Sequence, residues 1–199
     1  MKTCDRAMSI AVRRAVWVLA VVAAGAAEAR ESELLFDGGQ TNVWSTARDA
    51  ARLDKEFAVS DLVQAEEPAA LRWRFVPKPG TAFNDIFLSC RMARRFDTVR
   101  VRVKNEGAAF DLAVKTRDAR NAEWTARRVP LAAAGDWQWI EFPWPEWRVA
   151  PWSKDINGTL DLPLTSLALI AFDLKAEQTY ALRVAAVETV SPDRPLARV

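Results

Sequence analysis

From Leu34 onward the chain is written in short segments of alternating apolar and polar residues, with no sustained 3.6-residue periodicity. Leu71, Trp73 and Phe75 alternate with Arg72 and Arg74, and Val99, Val101 and Val103 with Arg100, Arg102 and Lys104. Phe110, Leu112 and Val114 alternate with Asp111, Ala113 and Lys115. Ile86, Phe87 and Leu88 form a more continuous apolar run. Further strands are expected over Trp124 to Val129, Trp137 to Phe142, Leu167 to Leu174 and Leu182 to Val190. Only Ala47 to Asp54 suggests a turn or two of helix.

Turn residues punctuate these runs at Lys78-Pro79-Gly80, Asn105-Glu106-Gly107, Arg117 to Asn121 and Gly135-Asp136. The 105–107 and 117–121 connections are each short enough for a hairpin. That spacing predicts an all-β, antiparallel sandwich or jelly roll. The main irregular stretch runs from Pro143 to Leu164 and holds four prolines and an Asn157-Gly158 turn. Loops of that length in a compact domain are often functional.

Residues 1–29 differ from the rest. Lys2, Arg6, Arg13 and Arg14 precede an apolar run from Ala15 to Ala27, and Ala27-Glu28-Ala29 follows as a small-residue cleavage site. The segment reads as a secretory signal peptide with a short signal helix, and predicts a secreted or periplasmic protein. Its apolar run is shorter than the roughly 20 residues of a membrane span, so no stable span is expected after cleavage. Residues 30–190 then form one β-sandwich domain and 191–199 a frayed tail. Of the 28 basic and 26 acidic residues, four and two lie in 1–29, so the remainder is formally neutral. Bulk charge therefore gives no support to nucleic-acid binding. Cys90 is the only cysteine outside the leader, so no internal disulfide is available.

Five of the nine tryptophans fall between Trp137 and Trp152, in WQWIEFPWPEWRVAPW, and the chain has no histidine. The commonest general base and the commonest neutral metal ligand are thus missing. A carboxylate pair could still hydrolyse glycosidic bonds, but the acids near the tryptophans show no spacing that marks an acid–base pair. Trp73, Trp137 and Trp147 are expected in the core. Trp139 faces outward if Ile140 and Phe142 face inward. Trp144 and Trp152, set between prolines and polar residues, are expected to be accessible.

Four pieces resemble the galactose-binding-like jelly roll of carbohydrate-binding modules from extracellular bacterial glycan-degrading proteins. They are Leu35-Phe36-Asp37 with Trp44, FDTVRVRVKNEGAAFDLAVKTRD, GDWQWIEFPWPEW, and TLDLPLTSLALIAFDL leading into ALRVAAVETV. The resemblance implies export and non-catalytic binding of a polysaccharide or oligosaccharide. The ligand-binding candidates are Trp139, Trp144 and Trp152 for stacking, with Glu141, Arg102 and Arg127 for hydrogen bonds. The stripe Arg100, Arg102 and Lys104, with Asp111, Lys115 and Arg117 opposite, is expected to supply a polar floor. An acidic or uronate-containing glycan is implied if that stripe and Trp139 share a sheet face. Many such modules also hold a structural calcium, for which Asp37 and Glu188 are the matching positions here. Ala185-Ala186 stand where paired acids would, so backbone carbonyls would have to complete that site. A protein-interaction or envelope-assembly module of the same fold is the alternative, since an exposed Trp/Pro loop would suit a partner surface.

Overall fold

Alternation decides which side of each strand reaches the interior, and in the computed structural model it builds two antiparallel sheets face to face. The structure describes residues 31–46, 50–155 and 157–191. The expected signal peptide, and the tail beyond 191, lie outside these residues. Strands β1 (Glu31–Phe36), β3 (Phe57–Ala65), β4 (Ala70–Pro77), β6 (Thr98–Asn105), β10 (Gln138–Pro143) and β13 (Tyr180–Ser191) form a back sheet. Its order is β10-β6-β13-β4-β3, with β1 also paired to β13. Strands β2 (Trp44–Thr46), β5 (Phe83–Met92), β7 (Phe110–Arg117), β8 (Glu123–Thr125), β9 (Val129–Leu131), β11 (Arg148–Val149) and β12 (Leu164–Phe172) form the front sheet. Its order is β11-β8-β7-β12-β5-β2, with β9 also paired to β7. One short helix, α1 (Ala50–Glu56), overlaps the expected helical turn.

The core lies between the sheets. Val99, Val101 and Val103 meet Leu71, Trp73 and Phe75 from the back, and Ile86, Leu88, Leu112, Val114, Leu167 and Leu169 from the front. Phe75 stacks on Tyr180 at 5.1 Å, with Trp73 at 4.8 Å on its other side. Trp73 is fully buried, and truncating so large a core side chain costs about 3–5 kcal/mol. The run LALIAF in β12 is apolar on both sides because β12 is central: Leu167, Leu169 and Ala171 face the core, while Ala168 and Ile170 are covered by neighbours on the outer face.

Two expectations are corrected by this topology. The Asn105-Glu106-Gly107 connection is not a hairpin loop, because β6 pairs with β10 and β13 whereas β7 pairs with β8, β9 and β12. The chain crosses between sheets there. Asn105 is buried, its Nδ2 donates to the carbonyls of Ala108 and Ala132, and its Oδ1 accepts the Gly107 N–H. A Cβ on Gly107 would stand 2.5 Å from the Ala181 nitrogen, so only glycine fits the crossing. It follows that Arg100, Arg102 and Lys104 do not share a floor with Asp111, Lys115 and Arg117, since the two sets lie on opposite sheets.

The second correction is Trp137. It precedes β10 and follows strict alternation onto the outer face beside Trp139, half-buried beneath Arg102 and Arg183 rather than in the core. Strand β3, which the sequence pattern did not predict, is an edge strand with a bulge between Phe57 and Val59. Its irregular burial hid it from a period-two reading. The 117–121 connection is a hairpin as expected, with Arg117 opposite Glu123.

Candidate functional site

The outer face of the front sheet carries a groove floored by β12. Ala168 on β12 lies opposite Phe87 of β5 on one side and Lys115 of β7 on the other. Ile170 lies between Asp85 and Ala113, and Phe172 between Phe83 and Asp111. Ser166 and Ala168 floor one hollow of about 370 Å³ and Ile170 and Phe172 an adjoining one of about 420 Å³, and the two share Arg52, Phe87, Lys115, Arg117 and Glu123 as walls. Hollows of a few hundred Å³ are the size of small-ligand sites.

Charges of alternating sign cross this groove. Arg52 on α1 approaches Asp85 Oδ1 at 3.8 Å, and Lys115 Nζ lies 3.4 Å from Asp85 Oδ2. Lys115 also lies 3.8 Å from Glu123 Oε2, and Arg117 bonds Glu123 Oε1 at 2.6 Å. The indole Nε1 of Trp152 donates to the same Glu123 carboxylate at 2.5 Å. Burial pushes the Glu123 carboxyl up, but the bonds from Trp152 and Arg117 and the charges of Lys115 and Arg117 outweigh it and hold the group below its ordinary range. Asp85 is almost completely buried, yet its Oδ1 has no hydrogen-bond partner. The charges of Arg52 and Lys115, not a hydrogen bond to that oxygen, offset the burial of the carboxylate.

Cations already cover three of the groove's aromatic rings. Arg52 lies over Phe83 at 4.8 Å, Lys115 over Phe87 at 5.2 Å and Arg128 over Phe172 at 3.8 Å. Trp152 is different, at 62% exposed and without a cation on its ring among the described residues. The turn that carries it is tied to β8, since Ala150 N–H donates to the Glu123 carbonyl and Ser153 Oγ accepts the Glu123 N–H. The result is a flat, held, open ring beside a buried acceptor.

The six residues expected to bind ligand do not converge. Only Trp152 stands at the groove. Trp139, Glu141 and Arg102 lie together on the outer face of the back sheet, where Trp139 pairs with Arg102 and Glu141 with Arg100. Arg127 is exposed and paired with Glu146. Trp144 is not the open loop ring expected of it: a 3-10 turn at Trp144–Glu146 folds it into an aromatic cluster 5.2 Å from Trp124 and 5.8 Å from Trp147. Trp147 is buried as expected, with its Nε1 donating to the Phe142 carbonyl.

Asp37 and Glu188 do not fit a calcium site. Glu188 is turned onto the Arg100 guanidinium on the outer face of the back sheet, and Asp37 caps its turn by accepting the Gly39 N–H. Among the described residues the acids that approach one another closely are Asp118, Asp155 and Asp161, within 4.8 Å. Asp118 accepts the N–H groups of Arg120, Ala122 and Trp124 Nε1, while Arg120 sits on Asp161 at 3.0 Å. These carboxylates organise the loops around β8.

Lys115 and Arg117, expected in the polar floor, do line the groove, whereas Arg52, Phe83, Asp85, Phe87, Glu123 and Phe172 carried no functional expectation from the sequence. The alternation Phe83-Asp85-Phe87 was a usable signal, masked by the inward Ile86 and Leu88 that made the segment look uniformly apolar.

Comparison with known proteins bears on this geometry. A family 11 carbohydrate-binding module of a cellulosomal cellulase from Clostridium thermocellum superimposes with a TM-score of 0.58 at 12% identity, over 84% of this chain and 98% of that one. The chain has the fold of a carbohydrate-binding-module jelly roll. A family 11 module from the same organism, in complex with a β-1,3-1,4-mixed-linked tetrasaccharide, gives a TM-score of 0.59 at 13% identity, over 81% of this chain and 96% of that one. An agarase matches with a TM-score of 0.50 at 12% identity over 81% of this chain, which spans 25% of the agarase. No protein-family model and no curated protein matches the sequence.

Proposed function

We propose that this domain is exported and binds a glycan chain in the front-sheet groove without cleaving it. The observation that carries the reading is the open ring of Trp152, held at the rim of a groove lined by Arg52, Asp85, Lys115 and Arg117. A pyranose offers an apolar C–H face for the indole and hydroxyls for the charged side chains that line the groove. Carbohydrate binding by modules of the same fold supports the reading.

Binding without turnover follows from what holds the acids. A glycosidase acid must carry a proton near neutral pH, which needs a raised pKa. Glu123 is shifted the other way, and Lys115 lies between it and Asp85. The leader at 1–29 supports export.

Affinity electrophoresis against soluble neutral polysaccharides, with mixed-linked β-1,3-1,4-glucan included as a probe, tests the proposal. Retardation that is lost in Trp152→Ala and in Asp85→Asn, with unchanged circular dichroism, is expected. Retardation that survives both substitutions, or release of new reducing ends, would overturn it.

A further inference from the structure

The outer face of the back sheet carries three rows of side chains that the strand register lines up one above another. In the first, Glu141 of β10 lies opposite Arg100 of β6, which lies opposite Glu188 of β13. In the second, Trp139 lies opposite Arg102, which lies opposite Ala186. In the third, Lys104, Arg183 and Arg72 are direct partners across β6, β13 and β4. Each of these three cations is flanked along its strand by core residues, so all three leave the same face.

Strands lie about 4.8 Å apart, and like charges directly opposite destabilise a sheet. Among the described residues Glu106 is the one carboxylate that answers the third row, at 3.5 Å from Arg72 and 3.6 Å from Arg183, whose Nη2 also donates to the Glu67 and Pro68 carbonyls. Among the described residues neither Lys104 nor Arg102 is paired with a carboxylate. The Nε of Arg183 is shielded from solvent and lacks a hydrogen-bond acceptor. Beside this row Trp137 lies under Arg102 and Arg183, while Trp139 carries Arg100 at 4.7 Å on one face and keeps 44% of its surface exposed. Two cations without a carboxylate, Arg102 and Lys104, next to a half-exposed indole have the chemistry of a site for a ring that bears a negative charge.

We infer that this face is a second binding surface, distinct from the groove, for a glycan with anionic sugar residues. The ring lies on the exposed part of Trp139, and its carboxylate or sulfate reaches Arg102 and Lys104, which no carboxylate of the described residues answers. The acidic first row opposes a uniformly negative surface, which disfavours a lipid headgroup layer or a nucleic-acid backbone as occupant.

Affinity electrophoresis of the full chain in gels containing polygalacturonate, dextran sulfate or unsubstituted dextran tests this, with the paired substitution Arg102→Glu and Lys104→Glu as the variant. Retardation by polygalacturonate or dextran sulfate but not by dextran is expected, and which of the two retards it tells uronate from sulfate. The pair should weaken that retardation about tenfold, with circular dichroism unchanged. Trp152→Ala should leave it intact, so failure here is separate from failure of the groove. No retardation by either anionic polymer, retention of it in the paired variant, or equal binding to duplex DNA or phosphatidylserine vesicles would overturn the inference.

Discussion

Trp152 and Glu123 lie 29 residues apart in sequence, and the indole Nε1 of one donates to the carboxylate of the other at 2.5 Å. That bond fixes the orientation of the most exposed large aromatic side chain among the described residues, and it joins the tryptophan-rich loop to the charge network of the front sheet. A ring held this way loses little freedom when a ligand stacks on it. Glu123→Gln should therefore weaken glycan binding while leaving the sandwich folded. Titration calorimetry checks this, and binding as tight as wild type would contradict it.

The Glu123 carboxyl is held below its ordinary range in the folded chain, so it binds protons more weakly there than when unfolded. Its contribution is fully present above the unfolded value of about 4.3 and is lost as pH falls through the lower folded value. Glycan binding should stay level from neutral pH to below the ordinary carboxylate value of about 4.3 and fall as pH passes the lower folded value, with the Trp152 emission changing in step. Binding that declines already between pH 7 and 5 would place the titrating group elsewhere.

Burial pushes the Cys90 thiol up to about 11, with a backbone hydrogen bond to Leu167 opposing the shift and the charge of Glu33 adding to it. A thiolate is the reactive form, so Cys90 should resist iodoacetamide at pH 8 and react once the chain is unfolded in guanidinium. Rapid labelling of the native protein would contradict the burial.

Asp118 holds two backbone N–H groups and the Trp124 indole in a buried position. Asp118→Ala leaves these donors without a partner and should cost about 1–3 kcal/mol in urea unfolding. Asp118→Asn keeps an acceptor and should cost less.

Lys104 faces Arg183 across the back sheet, with Arg72 beyond. Lys104→Gln should raise stability by about 0.2–1 kcal/mol in low salt, and the gain should shrink in high salt. A loss of stability would mean that the row is compensated.

How much of this was legible in the sequence depends on how local each feature is. The strands β4, β6, β7, β10, β12 and β13 were readable because alternation is a property of neighbouring residues. The sandwich followed from them. Trp152 and Trp144 looked alike, since each stands beside a proline. A 3-10 turn and the Trp144 N–H bond to the Asp97 carbonyl tuck one inward, whereas the tie to Glu123 holds the other out. The groove was not readable, because Arg52, Asp85, Lys115 and Glu123 meet only through the order β8-β7-β12-β5, which no local pattern encodes. The same non-local fact separated Arg102 from Lys115, which a hairpin at 105–107 would have joined.

The central claim is that a glycan occupies the front-sheet groove. The indole N–H resonances of the tryptophans, followed by ¹H–¹⁵N NMR during titration with the neutral oligosaccharides proposed above, report on it most directly. The account predicts that the Trp152 cross-peak moves with saturating ligand while those of Trp73, Trp137 and Trp139 stay in place. Shifts confined to Trp137 and Trp139, or no shift at Trp152 under binding conditions, would contradict it.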